Sequence, residues 1–295
     1  MEHVALMDSM DLIDIDIVAK RLRERGNNEQ AARFEGDART VTEKLGLSGV
    51  RVINDFPIAL TALGFTRVTR DPNKCIFNPF PPGEDGKIPL FVIPTETEGL
   101  WFQLDPMKVS CWLIDNRIVS GERPKDPLQA WAWLYREVLR TGFGRIEEMS
   151  PAATSVEMLV HTMSHVLLHN IEWSGFASSS IGEYLMPDTL SFVIYANRYA
   201  EAKIGGLTTL FEQRLPLWLI DAAQSGRACV YDPLCEEDGG SCAGCLHREH
   251  NCPFFNARLS RATLYGGKLP QDEQGKQTNI RLGYWSDYAT LVDPG

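Results

Sequence analysis

Positive charge is scarce in this chain: 29 Lys and Arg stand against 39 Asp and Glu, a formal charge of -10 over 295 residues. Affinity for nucleic acid comes largely from counterion release by clustered Lys and Arg, so this chain is not expected to coat DNA by itself. Long apolar runs are missing too. The longest uncharged apolar stretch, Met158 to Ile171, holds three histidines and falls short of the ~20 residues of a membrane span. The segment MEHVALMDSMDLIDIDIVAK carries Asp every few residues, the reverse of a basic region followed by an apolar one, so a cytoplasmic protein with no membrane association is expected. Nucleotide-binding signatures are absent as well. Gly86-Lys87 is followed by Ile88 and Gly267-Lys268 by Leu269, so neither completes G-x-x-x-x-G-K-[ST], and G-x-G-x-x-G and G-x-S-x-G do not occur. No ATP-driven motor is expected within this chain.

What is present is ordinary globular composition, 44% hydrophobic and 23% charged, which excludes disordered, collagen-like and repeat-array classes. At roughly 150 residues per domain, about two domains are expected. Residues 1–46 read as charged helix with a break at Gly26-Asn27-Asn28, and 57–68 (PIALTALGFTRV) as a second helix. Two short strands, 90–93 and 100–104, flank a polar turn, and 127–142 is an amphipathic helix. Beyond Pro151, apolar residues recur at helical spacing from Val156 to Ile171. The serines 178–180 are placed to cap a short helix IGEYLM, whereas LSFVIYA (190–196) reads as a buried strand. Gly205-Gly206 then breaks the chain before two helices, the second opening at Pro216. PFFNARLSRATLYGG reads as a last helix and 268–295 as a polar tail with one late aromatic cluster, Tyr284-Trp285 and Tyr288. The expected class is α+β: a helix-rich mixed fold with a small sheet and a cysteine zinc-binding loop. Its expected divisions are 1–150, 151–267 and 268–295.

Five of the seven cysteines fall in one stretch, as Cys229-x5-Cys235-x6-Cys242-x2-Cys245-x6-Cys252. Thiols of a cytoplasmic chain stay reduced, and clustered ones more often bind metal than form bridges. Zinc takes four ligands tetrahedrally, and the small residues of Cys242-Ala243-Gly244-Cys245 let the backbone curl around one ion. Two more ligands must come from Cys229, Cys235 and Cys252, with His247 and His250 as substitutes. Four thiolates leave no open position, so one structural zinc is expected, supplying folding energy that the polar EEDGGS insert cannot. A redox pair at Cys242 and Cys245 is the rival reading. A deaminase is not supported, because His247-Arg248-Glu249 follows the C-x-x-C instead of preceding it.

A second pattern is His161, His165 and His169, four residues apart on the expected helix, forming a stripe about 80° wide. Two histidines at this spacing can hold a metal, but His161-Thr162-Met163-Ser164-His165 lacks the Glu of H-E-x-x-H enzymes. Packing against a neighbouring element or subunit is the expected role of His161 and His165. A metal-dependent nuclease using the stripe with Glu172, Glu183 or another carboxylate is the alternative.

Taken together, HTMSHVLLHNIEWSGFASSSIGEYLM, LSFVIYA, AKIGGLTTL and ACVYDPLCEEDGGSCAGCLHREHNCPFFNARLSRATLYGG resemble the MrfA-type zinc-binding domain, which also occurs in DrmB of the DISARM antiphage system. The similarity covers roughly 155–267 and rests on His161 and His165, Ser178–Ser180, Gly205-Gly206-Leu207, the clustered cysteines, Asn256 and Arg261. FPIALTALGFTRV and TETEGLWFQLD extend it, more weakly, to about residue 50. The resemblance implies a prokaryotic protein that binds zinc through Cys229, Cys235, Cys242 and Cys245, with Cys252 the contender for one place. It also implies service to a superfamily-two DNA helicase in antiphage defence or DNA repair, with DNA engaged through the complex. No helicase core lies in the chain, so translocation must come from a partner. Arg258 and Arg261, on the expected last helix, are the candidate DNA contacts.

Overall fold

The computed structural model describes residues 12–66, 76–138, 149–197, 206–271, 275 and 277–286. A two-residue strand β1 (Leu12–Ile13) leads into α1 (Ile15–Glu24), whose first turn is capped by the Asp14 carboxylate accepting from Ile17 N at 2.8 Å. Helix α2 (Asn28–Lys44) follows, and ion pairs of Arg23 with Glu35 and of Arg39 with Asp16 join the two. Long strand β2 (Leu47–Ala62) comes next, then the short strands β3 (Gly64–Thr66) and β4 (Phe77–Pro79), which pair with each other, and long strand β5 (Phe91–Leu104). Helices α3 (Pro106–Asp115), α4 (Pro127–Glu137) and α5 (Pro151–His169) each open with proline behind an Asp or Ser cap. Strands β6 (Ile181–Met186) and β7 (Ser191–Ala196) form a hairpin, and α6 (Gly206–Ser225) covers the sheet. The remainder is two single-turn helices, α7 (Leu234–Glu237) and α8 (Ala262–Tyr265), and a small hairpin of β8 (Gly267–Lys268) with β9 (Asn279–Ile280).

The fold is mixed α+β, built on a five-stranded sheet in the order β1-β2-β5-β7-β6, antiparallel throughout. Strands from both sides of residue 150 share this sheet, so the expected division at 150/151 does not coincide with a break in it. Alternate residues Val50, Val52, Leu100, Phe102, Leu104, Phe192 and Ile194 face the helices and enter the main core. Phe102 stacks on Phe192, with ring centroids 4.9 Å apart, and meets Trp218 of α6 edge-on. On the opposite face Phe56, Trp101 and Val193 form a smaller cluster. The N-terminus of α6 is fixed by Glu98 of β5, whose Oε2 accepts from both N and Oγ1 of Thr208 at 3.0 Å.

Several expectations fail for identifiable reasons. The stretch 57–62 is strand rather than helix, because residues 56–62 pair in register with 91–97, and 64–66 pairs with 77–79; short apolar runs do not distinguish the two periods. Residues 67–68 of that expected helix lie outside the described residues. By the same pairing, 90–93 and 100–104 belong to one strand. IGEYLM is strand β6, laddered on β7, and the serines before it form a single 3-10 turn. The two helices expected around Pro216 are one. Leu207, Leu210, Phe211, Leu215, Trp218, Leu219 and Ala222 make one continuous buried stripe, and that burial outweighs the ~3 kcal/mol penalty of an interior proline. Most of the expected last helix is turns, with Phe255, Asn256 and Arg258 at positive φ, and only 262–265 is helical. The late aromatic cluster of the expected tail is part of the core as far as it is described. Tyr284 and Trp285 are buried, Tyr284 Oη donating to Gly46 O at 2.7 Å and Trp285 Nε1 to Leu45 O at 2.9 Å. The 139–142 end of the expected helix, Gly205 and Tyr288 lie outside the described residues.

Gly46 is required by this closure. It sits at φ +69°, and a Cβ there would lie 2.5 Å from Lys108 Cδ and 2.7 Å from the Tyr284 ring. Gly206 answers the same need at the start of α6, where a Cβ would meet the Phe176 ring at 2.5 Å and Ser174 O at 2.8 Å. Close packing accounts for that glycine.

Candidate metal centres

The cysteine-rich loop begins four residues after α6 ends. Cys235 rides on α7, and Cys242 and Cys245 flank a tight turn in which Cys245 N and Leu246 N donate to Cys242 O. This folding brings Cys229, Cys235, Cys242 and Cys245 together. Their Sγ atoms stand 3.5 Å (229–242), 3.7 Å (235–245) and 3.8 Å (242–245) apart. Those separations are far too long for disulfides. Zn–S bonds of about 2.3 Å in a tetrahedron place sulfurs roughly 3.7 Å apart. Backbone donors aim at the sulfurs, Tyr231 N at Cys229 Sγ (3.4 Å) and Gly244 N at Cys242 Sγ (3.3 Å). Burial pushes the Cys235 thiol up, and burial together with the Cys242 sulfur takes Cys245 to about 11. Burial works the same way on Cys242, but the Gly244 N–H and the facing thiols outweigh it and bring Cys242 down. Four clustered cysteines of this chemistry and spacing could hold a metal such as zinc, with every position filled by protein.

Arg261 and Arg258 are not placed as expected. The Arg261 side chain is 6% exposed; its Nη2 donates to Asp232 Oδ1 at 2.6 Å and its Nη1 to Arg227 O at 2.7 Å. Burial disfavours its charge, but Asp232 and the nearby Cys235 and Cys245 thiols more than restore it. Asp232 in turn accepts from Cys229 N at 2.7 Å. Arg261 therefore clamps the cysteine loop from within, and burial removes it as a phosphate contact. Arg258 Nη1 donates to the buried Glu157 of α5 at 2.5 Å. It is an internal ion-pair partner, because the turns at 255–258 direct it back onto α5.

The fifth cysteine is elsewhere. Cys252 joins His161 and His165 of α5 and Glu183 of β6 in a second group whose donor atoms all lie within 4.8 Å of one another. The Nε2 atoms of the two histidines are 3.0 Å apart, His161 Nε2 is 3.3 Å from Cys252 Sγ, and His165 Nε2 is 2.9 Å from Glu183 Oε1. His161, His165 and Glu183 are buried. Burial disfavours charge on His165, yet Cys252 and Glu183 outweigh it and lift the imidazole to about 9. Burial raises the Cys252 thiol, but the two histidines and the Asn256 N–H bring it down to about 6. This group could also hold a metal. Cys252 is thereby withdrawn from contention for the four-cysteine site.

His169, the third member of the expected stripe, is exposed at the end of α5, and Glu172 is exposed beyond it. Nothing in the spacing of Glu183 singles it out among the carboxylates, because it reaches the site from strand β6, whose pairing with β7 is not visible in the sequence. The serine turn also has a different use from capping. Arg248 Nη2 donates to Ser178 O (2.6 Å) and Ile181 O (2.8 Å), and Asn251 Nδ2 to Ser179 O (2.9 Å). Asn256 braces Arg248 through its backbone, accepting from Arg248 N and donating to Arg248 O, both at 2.8 Å.

No family model matches this sequence, and the search of curated proteins returns no match. Among the described residues no helix is long and apolar enough to cross a membrane.

Proposed function

We propose that this chain is a non-catalytic, zinc-stabilised subunit that docks on a superfamily-two DNA helicase of a prokaryotic antiphage-defence or repair complex and assists its engagement of DNA. The observation that carries the docking reading is an apolar arm. Beyond the shared sheet, residues 56–62 and 91–97 continue as a two-stranded ribbon, with β3 and β4 near its end. Leu60, Leu63, Phe77, Phe91, Val92 and Ile93 are all exposed on it. Side chains of consecutive strand residues point to opposite faces, so exposed Phe91-Val92-Ile93 makes the ribbon apolar on both faces. Contiguous exposed apolar surface of this kind marks interaction sites. The acidic balance favours a protein partner over bare DNA. The choice of a helicase rests on the resemblance carried by 155–267.

Two further observations bear on the reading. The four-cysteine cluster leaves no open coordination position, which suits a structural role. DNA assistance must run through surfaces other than Arg258 and Arg261, which are engaged internally. No observation favours the nuclease alternative, since His161 and His165 are closed off from solvent.

The test is affinity purification of the tagged chain from its native host after nuclease treatment. A helicase recovered in stoichiometric amount is expected. The combined variant Leu60→Asp, Phe91→Glu, Ile93→Glu, folded by circular dichroism and with unchanged metal content, is expected to lose it. A wild-type chain recovered alone would overturn the proposal.

A further inference from the structure

We propose that His161, His165, Glu183 and Cys252 form a second, buried zinc site that bolts the cysteine-rich loop to helix α5 and to the edge strand β6. Three chain segments supply its ligands, and nothing in their local sequence requires them to meet. They converge so that two ring nitrogens, one carboxylate oxygen and one sulfur all lie within 4.8 Å of one another.

The size of that centre fits a zinc ion. Bonds of about 2.0–2.3 Å in a tetrahedron hold N, O and S ligand atoms roughly 3.3–3.7 Å apart. His161 Nε2 lies 3.3 Å from Cys252 Sγ and 3.3 Å from Glu183 Oε1. The 3.0 Å between the two Nε2 atoms and the 2.9 Å from His165 Nε2 to Glu183 Oε1 are shorter by a few tenths of an ångström, an expansion that small side-chain rotations supply.

The surroundings are those of metal ligands. His165 Nδ1 donates to Leu246 O at 2.7 Å, which fixes the proton on Nδ1 and turns the Nε2 lone pair toward the centre. Ser164 Oγ donates to Glu183 Oε2 at 2.6 Å, leaving Oε1 for the ion. Asn256 N donates to Cys252 Sγ at 3.2 Å, orienting the sulfur. His165 and Glu183 are thus each held through the atom that does not ligate, and Cys252 by an N–H on the sulfur itself. With both imidazoles neutral, as ligation requires, the buried carboxylate and the partly buried thiolate carry two negative charges, and one divalent cation cancels both. Mixed nitrogen, oxygen and sulfur donors in a closed tetrahedral set select zinc over calcium or magnesium, which prefer oxygen alone. With four protein ligands, three of them buried, the site is structural. Its place explains the folding of 246–261, whose turns have little apolar burial of their own.

The protein purified without chelator is expected to carry two zinc equivalents per chain by inductively coupled plasma mass spectrometry. Zinc X-ray absorption on the same wild-type sample should show a mixed shell, five sulfurs and three nitrogen or oxygen donors over two ions. Cys252→Ser and His165→Gln should each drop the content to one equivalent with an all-sulfur shell. One equivalent in an all-sulfur shell in the wild type would overturn the proposal without any variant having to fold. One equivalent in a mixed shell that Cys252→Ser abolishes would uphold this site and overturn zinc at the four cysteines instead.

Discussion

Replacing Arg261 with methionine separates two roles for one cation, a phosphate contact at the surface or an internal clamp on the cysteine loop. The side chain makes two charge-assisted contacts, to Asp232 and to Arg227 O, and is 6% exposed. Removing one partner of a buried ion pair costs about 3–5 kcal/mol. Asp232 keeps a quarter of its side-chain surface in water, so its orphaned carboxylate is partly rehydrated, and about 2–3 kcal/mol is the net expectation. At about 2–4 °C per kcal/mol for a chain of this size class, Tm should fall by about 4–12 °C. Asp232, released from the guanidinium, should also hold Cys229 N less firmly, so metal transfer to a chromogenic chelator should quicken. Arg261→Lys keeps the charge but loses the fork that reaches both acceptors, and should fall between wild type and Arg261→Met. Differential scanning fluorimetry and the chelator assay read both effects. The reasoning is refuted if Tm moves by less than about 1 °C while the salt slope of DNA binding by the complex drops by about 1, the signature of one lost phosphate contact.

Other outcomes follow from the same packing. Trp285→Ala removes a ring that is 2% exposed and the donor to Leu45 O; about 3–5 kcal/mol should be lost in urea unfolding, and an unchanged midpoint would deny that the end of the chain belongs to the core. Gly206→Val should lower Tm measurably, since its side chain would collide with Phe176 and the Ser174 carbonyl, and a neutral result would argue against close packing there. Strong chelator should raise hydrogen exchange across 229–261 while the amides of β5 and β7 stay protected, because the sheet has its own apolar core. Uniform loss of protection would mean that metal and sheet unfold as one unit. Cys111→Ser, remote from both donor groups, should leave metal content unchanged by mass spectrometry.

Residue chemistry and spacing determined part of this protein without reference to three dimensions. The acidic balance, the lack of a nucleotide-binding signature, and the existence of helix within 1–46, of helix from Val156 and of a buried strand within 190–196 are local properties of composition and period. So is the turn in Cys242-Ala243-Gly244-Cys245, because two ligands three residues apart meet through the backbone alone. Tertiary structure decided what depended on distant partners. Residues 57–62 and 181–186 are strands only because 91–96 and 191–196 lie alongside them. Tyr284 and Trp285 join the core because the carbonyls of Leu45 and Gly46 are exposed to them across the fold. Arg258 and Arg261 looked like surface cations until turns at positive φ directed them inward to Glu157 and Asp232. The sorting of five cysteines into a group of four and a lone Cys252 had the same origin. Spacing allowed every assignment, and the choice fell to where α5 presents two imidazoles and β6 a carboxylate. Sequence period fixes which face of an element a residue occupies, whereas a ligand set is fixed by which elements pack together.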